Sequence, residues 1–167
     1  KIHLFDVQLA NGEVYRESAR YVSGREAVSV ALPFATVGLG ICYDLRFPHL
    51  FRALAQEGGA EVLTVPAAFT RPTGEAHWHT LLRARAIETG CWVLAAAQAG
   101  RHENGRETFG HSLAIDPWGR IVAEGGIEPG VIFADVDTSE VAAVRGRVPS
   151  LAHDRPFELR ATGRVAP

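Results

Sequence analysis

The most informative segment of this chain is Gly38-Leu39-Gly40-Ile41-Cys42-Tyr43-Asp44-Leu45-Arg46-Phe47-Pro48. Residues 36–41 are small or β-branched, which predicts a short buried strand whose glycines let the backbone approach a neighbour closely. A polar turn follows Cys42, and residues 49–56 have the apolar periodicity of a helix. A thiol at the carboxyl end of a strand, on a tight strand-to-helix turn, lies where α/β proteins commonly place a nucleophile.

The alternative for Cys42 is a structural role, because cysteine is often buried as ordinary packing. Cys91 illustrates that role, since it opens the apolar run 91–97 without polar neighbours, and we expect it in the core. Cys42 differs in the tyrosine, aspartate and arginine that follow it.

The rest of the chain alternates between predicted strands and helices, which indicates the α/β class. Strands are expected at 28–32, 61–65, 91–97, 110–116, 120–124 and 131–136, polar loops at 11–25 and 70–74, and helices at about 75–89 and 139–145. Gly90 is expected to end the longer helix, and Asp137 and Thr138 can cap the shorter one.

Composition excludes several classes of partner. The chain has 167 residues, of which 47% are hydrophobic, enough to bury one sizeable core. A net charge of −2 without any basic run argues against nucleic-acid binding, and no apolar stretch approaches the length of a membrane span. Two cysteines in different settings do not suggest a disulfide framework, which favours a reducing compartment and hence a cytoplasmic protein.

Several motifs resemble those of the nitrilase superfamily of carbon–nitrogen hydrolases. Residues 40–48 are similar to its cysteine motif, residues 1–6 to its lysine motif, and Glu17 stands where the family has a second glutamate. Further similarities, in the family's order, are Pro66-Ala67-Ala68-Phe69, Ala76-His77-Trp78, residues 82–88, Gly110-His111-Ser112 and Asp116-Pro117-Trp118-Gly119. The most similar branch contains the ω-amidases and the deaminated-glutathione amidase.

The resemblance implies a four-layer αββα sandwich. The chain begins inside a motif and contains no methionine, so we expect residues 1–167 to be the C-terminal portion of a single domain. The family's N-terminal part, with its first catalytic glutamate, is then expected upstream. Residues 147–167 are expected to be a tail that packs against a partner subunit in a homodimer or higher homo-oligomer.

Amide hydrolysis needs a strong nucleophile, an acid for the leaving amine and donors for the oxyanion. The resemblance implies Cys42 as nucleophile and Lys1 as the ammonium that stabilises thiolate and oxyanion, with the backbone N–H of Tyr43 as a second donor. Glu17 would orient Lys1 or the substrate. The alternatives are a solvated chain end for Lys1 and a surface carboxylate for Glu17.

Other polar residues near Cys42 have competing interpretations. For Asp44 and Arg46, an ion pair that supports the turn is favoured over contact with substrate. Phe69 and Thr70 close a strand at the end where α/β proteins bind ligands, so both are expected to line a pocket. A core position for Phe69 is an equal alternative.

A metal site is not expected from the sequence. The seven histidines are scattered, with no carboxylate or cysteine at ligand spacing. His77 and His79 flank Trp78, but residues two apart on a helix point to different sides. His49 and His79 also stand where the family commonly has glutamate.

The expected function is release of ammonia from a small linear ω-amide through a Cys42 thioester, without metal or cofactor. One alternative is hydrolysis of an N-carbamoyl group or a nitrile by the same residues. The other is a catalytically inactive family member that serves as a binding or oligomeric subunit.

Overall fold

The computed structural model describes residues 1–9 and 12–160, and a six-stranded mixed sheet forms its centre. In these residues the strands are β1 (Asp6–Gln8), β2 (Val14–Arg16), β3 (Val28–Ala31), β4 (Thr36–Leu39), β5 (Val62–Thr64), β6 (Trp92–Ala95), β7 (Ala99–Arg101), β8 (Glu107–Phe109), β9 (Leu113–Ile115) and β10 (Ile121–Glu124). The helices are α1 (Pro48–Gln56), α2 (Arg71–Thr89) and α3 (Ser139–Arg147), with 3₁₀ helices at Glu17–Ala19 and Cys42–Arg46.

The large sheet has the order β10-β9-β6-β5-β4-β3. Its central strands β4, β5 and β6 are parallel, whereas the outer pairs β3–β4, β6–β9 and β9–β10 are antiparallel. The hairpins β1–β2 and β7–β8 stand apart from it. Because β4 and β5 run in parallel, their carboxyl ends and the residues after them lie side by side at the same end of the strands.

The main core lies between one face of the sheet and the helices α1 and α2. Leu63 and Val93 of the sheet, Phe51 of α1 and Leu82 of α2 are fully buried there. Neighbouring residues of a strand point to opposite faces, so Trp92 packs on the other side, in a smaller cluster that includes a residue of α3.

The predicted strand and helix around Cys42 are confirmed. Gly40 follows β4 where the ring of Phe51 comes close, and a Cβ atom at position 40 would lie 2.6 Å from that ring. Gly90 ends α2 in the left-handed conformation, with φ of 60°, as its position predicted.

Two predicted loops are wrong. The structure places residues 71–74 inside α2, which begins at Arg71 instead of near residue 75. Pro72 suggested a loop, but proline is tolerated in the first turn of a helix, where its missing N–H has no intrahelical acceptor. The predicted loop 11–25 contains β2 and a 3₁₀ helix. A strand of three residues is too short to show a period, and position 11 lies outside the described residues.

The strand predicted at 131–136 is also wrong, since these described residues form no strand. Their alternating pattern is typical of a strand, but β10 is the last strand in the sheet order and no described strand pairs with them. Val131 and Phe133 are 77% and 87% exposed in consequence.

Residues 148–160 of the predicted tail contain neither helix nor strand, and residues 161–167 lie outside the described part of the chain. The role of this tail therefore stays a prediction. None of the helices in the described part of the chain combines the length and the apolarity that crossing a bilayer requires.

Candidate active site

Cys42 stands at the point where β4 meets the 3₁₀ helix 42–46. Its backbone has a φ of 51°, in the left-handed region that a non-glycine residue adopts only at a cost of about 1–3 kcal/mol. Its backbone N–H donates to the carbonyl of Pro66 at 3.0 Å, which ties the end of β4 to the end of β5. The predicted position of this thiol at the carboxyl end of a strand is confirmed.

Cys91 behaves as the core residue that its apolar neighbours predicted. It is fully buried, and its sulfur lies 3.2 Å from the carbonyl of Ala60 and 3.1 Å from the guanidinium of Arg145. Burial raises the pKa of the Cys91 thiol, which opposes formation of the reactive thiolate.

Asp44 is a buried anchor of the Cys42 turn. Its carboxylate accepts hydrogen bonds from the backbone N–H groups of His3 at 2.8 Å and Ile41 at 3.1 Å. The His3 ring nitrogen Nδ1 also lies 2.9 Å from it. The predicted ion pair with Arg46 is wrong, because residues two apart in a 3₁₀ helix of three residues per turn point to different sides.

A small pocket opens beside Cys42. Four predicted site residues line it, namely Cys42, Tyr43, Phe69 and Thr70. The guanidinium groups of Arg46 and Arg106 and the side chains of Phe5, Ala68 and Thr73 complete the lining. Phe69 fulfils both interpretations at once, since it is 7% exposed and packs on Trp78 with ring centroids 4.8 Å apart.

Lys1 and Glu17 are linked to the pocket through Phe5. The ammonium group of Lys1 forms an ion pair with the Glu17 carboxylate, whose Oε2 also accepts the backbone N–H of Phe5 at 2.6 Å. Phe5 lines the pocket, and its ring centroid is 5.1 Å from that of Tyr43. The Lys1 side chain is only 15% exposed, so the solvated chain end is not what the structure shows.

Arg46 projects into the pocket instead of toward Asp44. Its guanidinium carbon lies 5.2 Å from the centroid of the Phe69 ring, and Nη1 is 3.2 Å from Nδ1 of His77. Burial lowers the pKa of Arg46, but arginine starts so far above neutrality that the group stays charged. A charged, partly desolvated guanidinium attracts an anion more strongly than a hydrated one.

Arg106 is a pocket residue that sequence reasoning missed. It follows the turn of the β7–β8 hairpin, and its Nη2 donates to the carbonyl of Ala68. Its Nε is buried without a hydrogen-bond partner in the described part of the chain. The dipeptide Asn104-Gly105, a strong hairpin signal, could have located this turn.

The profile of the carbon-nitrogen hydrolase family matches residues 1–146. A deaminated glutathione amidase from Synechocystis sp. is 48% identical over 155 residues, which is 92% of this chain and 57% of that protein. The crystal structure of the C. elegans NitFhit protein matches with a TM-score of 0.86 at 44% identity, over 93% of this chain and 38% of that one.

A third similarity concerns the nucleophile. A mutant of the amidase from Nesterenkonia sp. AN1 carries the acetamide moiety of fluoroacetamide covalently on its active-site cysteine. It matches with a TM-score of 0.66 at 30% identity, over 81% of this chain and 50% of that chain. The chain spans about half the length of the curated relatives that it matches.

Proposed function

The chain belongs to the carbon–nitrogen hydrolase family, with its α/β sandwich fold, and we propose that it hydrolyses the amide bond of a small linear ω-amide through Cys42. The observation that carries this proposal is the position of Cys42, whose backbone is strained and whose side chain lines a pocket together with two guanidinium groups. The relatives named deaminated glutathione amidase support an amide as substrate.

The thiolate of Cys42 attacks the amide carbonyl carbon and forms a C–S bond, which turns the carbonyl oxygen into an oxyanion. The Lys1 ammonium and the N–H of Tyr43, near the start of a helix where N–H groups lack intrahelical acceptors, would stabilise that charge. The C–N bond then breaks as a general base that took the thiol proton passes it to the leaving nitrogen, and ammonia departs. Water then adds to the thioester carbon, which releases the acid and restores the Cys42 thiol. Glu17 holds Lys1 in place for this step.

The two guanidinium groups suggest where the rest of the substrate binds. Arg46 and Arg106 line the same pocket as Cys42, and Arg106 retains a buried N–H without a protein acceptor. A carboxylate is a natural partner for such donors, because guanidinium groups bind carboxylates with charge-assisted hydrogen bonds. We therefore propose that the substrate carries a carboxylate at the end remote from its amide.

The experiment measures ammonia released from ω-amides of dicarboxylic acids, neutral amides, N-carbamoyl amino acids and nitriles. The variants Cys42→Ala and Cys42→Ser should lose turnover while their thermal unfolding stays close to that of the natural protein. Cys91→Ala is the matched control and should keep turnover but unfold at lower temperature, because it removes a packed and hydrogen-bonded sulfur. Turnover by Cys42→Ala would refute the mechanism. Faster hydrolysis of carbamoyl compounds or nitriles would favour the alternative substrates, and no turnover by the natural protein would favour an inactive subunit.

We also propose that the protein acts in the cytoplasm as a homodimer or higher homo-oligomer. Two free thiols support a reducing compartment. In the tail, Phe157 and Leu159 are 88% and 90% exposed, which suits packing against a second subunit. Deletion of residues 148–167 should lower the molecular mass measured by sedimentation equilibrium, and an unchanged mass would contradict this role for the tail.

A further inference from the structure

Three potential metal ligands converge at one end of the large sheet, and none of them is among the residues that line the pocket. They are His79 on α2, His111 in the turn before β9 and Glu124 at the end of β10. His79 Nε2 and His111 Nδ1 each lie 2.9 Å from the same oxygen, Oε1 of Glu124. The ligand atoms of all three side chains lie within 4.8 Å of one another.

The fold holds His111 in an unusual conformation. Apart from Cys42, it is the one non-glycine residue with positive φ in the described part of the chain, at 59°. Its carbonyl accepts the indole N–H of Trp78 at 2.7 Å, and its ring stacks on Phe109 with centroids 4.4 Å apart. Backbone strain at a non-glycine residue persists where the surroundings enforce it, so this imidazole is directed at Glu124 by its neighbours.

The position of His79 is fixed independently. It lies on the long helix α2, next to the fully buried Trp78, and its ring meets that of His111 at 5.5 Å in an edge-on arrangement. Glu124 is anchored by the pairing of β10 with β9. Three separate elements therefore bring two imidazoles and one carboxylate together before any ion binds, which lowers the ordering cost of binding.

We propose that His79, His111 and Glu124 form a binding site for a divalent transition metal of the zinc type. Two imidazole nitrogens and one carboxylate oxygen are a ligand set that suits Zn²⁺. Bond lengths of about 2.0–2.2 Å require ligand atoms within roughly 4.4 Å of one another, which small side-chain rotations achieve here. The three side chains are 29–38% exposed, so water can complete the coordination.

A bound ion would replace the shared hydrogen bonds and clamp α2 to the edge of the sheet. The sequence did not suggest this site, because its ligands are 13 to 45 positions apart and belong to three elements. His77, the histidine closest to His79 in sequence, contacts Arg46 instead.

The test uses the untagged protein that contains this chain, with Cys42→Ala introduced so that zinc cannot bind to this partly buried thiol. Equilibrium dialysis against Zn²⁺, followed by metal analysis, should show one ion per chain. At a free Zn²⁺ concentration of about a hundred times Kd, thermal unfolding should shift upward by roughly 5–10 °C.

Single variants identify the ligands. His79→Gln, His111→Asn and Glu124→Gln should each weaken Zn²⁺ binding by about tenfold or more, as loss of even an outer partner can. Asparagine is chosen at position 111 because it tolerates positive φ. The matched controls His153→Asn and Glu128→Gln replace exposed residues of the same types and should bind Zn²⁺ normally.

Retention of less than one Zn²⁺ per chain, or equal binding by the three variants and the controls, would overturn the proposal. The first result would leave the cluster as a hydrogen-bonded His–Glu–His arrangement. If His111→Asn fails to fold, His79→Gln and Glu124→Gln decide the question, since both alter partly exposed side chains. These measurements do not involve amide turnover, so they are independent of the proposed reaction.

Discussion

Replacement of Asp44 by alanine should lower the stability of the protein, and it should also disorder the turn that holds Cys42. The carboxylate is 2% exposed and accepts two backbone N–H groups, those of His3 and Ile41. A buried donor left without an acceptor costs about 1–3 kcal/mol. Water can reach the partly exposed Ile41, so we expect Asp44→Ala to lower the free energy of unfolding by about 2–4 kcal/mol.

The assay is urea denaturation followed by tryptophan fluorescence. With a slope of about 2 kcal/mol/M, the midpoint should fall by about 1–2 M. Asp44→Asn should lose less, because its amide oxygen can still accept one of the two N–H groups. Asp135→Ala, at an exposed position, is the control and should unfold at the urea concentration of the natural protein.

The same variant tests how the turn is held. The left-handed backbone of Cys42 is strained, and Asp44 fixes the residue immediately before it through the Ile41 N–H. At urea concentrations below the unfolding transition, Cys42 in the Asp44→Ala variant should therefore react with an alkylating reagent at a changed rate, and the variant should lose amide turnover. An unchanged urea midpoint would refute the structural reasoning, and unchanged turnover with a lowered midpoint would refute the link to the nucleophile.

Two further predictions concern the pocket. Lys1→Ala should lower kcat by about a hundredfold, and Lys1→Arg should not restore it because a planar guanidinium does not replace a compact ammonium. Full kcat in Lys1→Ala would show that Lys1 takes no part in the reaction. Arg106→Gln should raise KM for ω-amides that carry a carboxylate while neutral amides are unaffected, with Arg101→Gln as an exposed control. An equal change for both substrate classes would show that Arg106 supports the hairpin without selecting the substrate.

The fold around Cys42 could be predicted because its signals are local. Small and β-branched residues, two glycines and a proline-containing turn specify β4, the Cys42 turn and α1 within residues 36–56. Cys91 was correctly assigned to the core for the same reason, since its apolar run is contiguous. Local patterns suffice where neighbours in sequence are neighbours in space.

The errors arose where partners are distant or where one residue has two uses. Phe133 and its neighbours have the pattern of a strand, but a strand needs a partner, and no described strand pairs with them. Pro72 signalled a loop although it lies in the first turn of α2. Asp44 and Arg46 are opposite charges two residues apart, and only the geometry of the 3₁₀ helix shows that they face different ways.

The distribution of site residues explains why the motifs predict the reaction better than the substrate. Cys42 and Tyr43 belong to one continuous motif, and Asp44 in that motif binds the N-terminal segment through His3. Arg106, in contrast, reaches the pocket from a hairpin outside every motif that resembles the family. Substitutions in that hairpin can alter the charge of the pocket without changing the residues of the Cys42 turn. We therefore propose that residue 106 helps to select the acids whose amides are hydrolysed, while the Cys42 motif supplies the reaction.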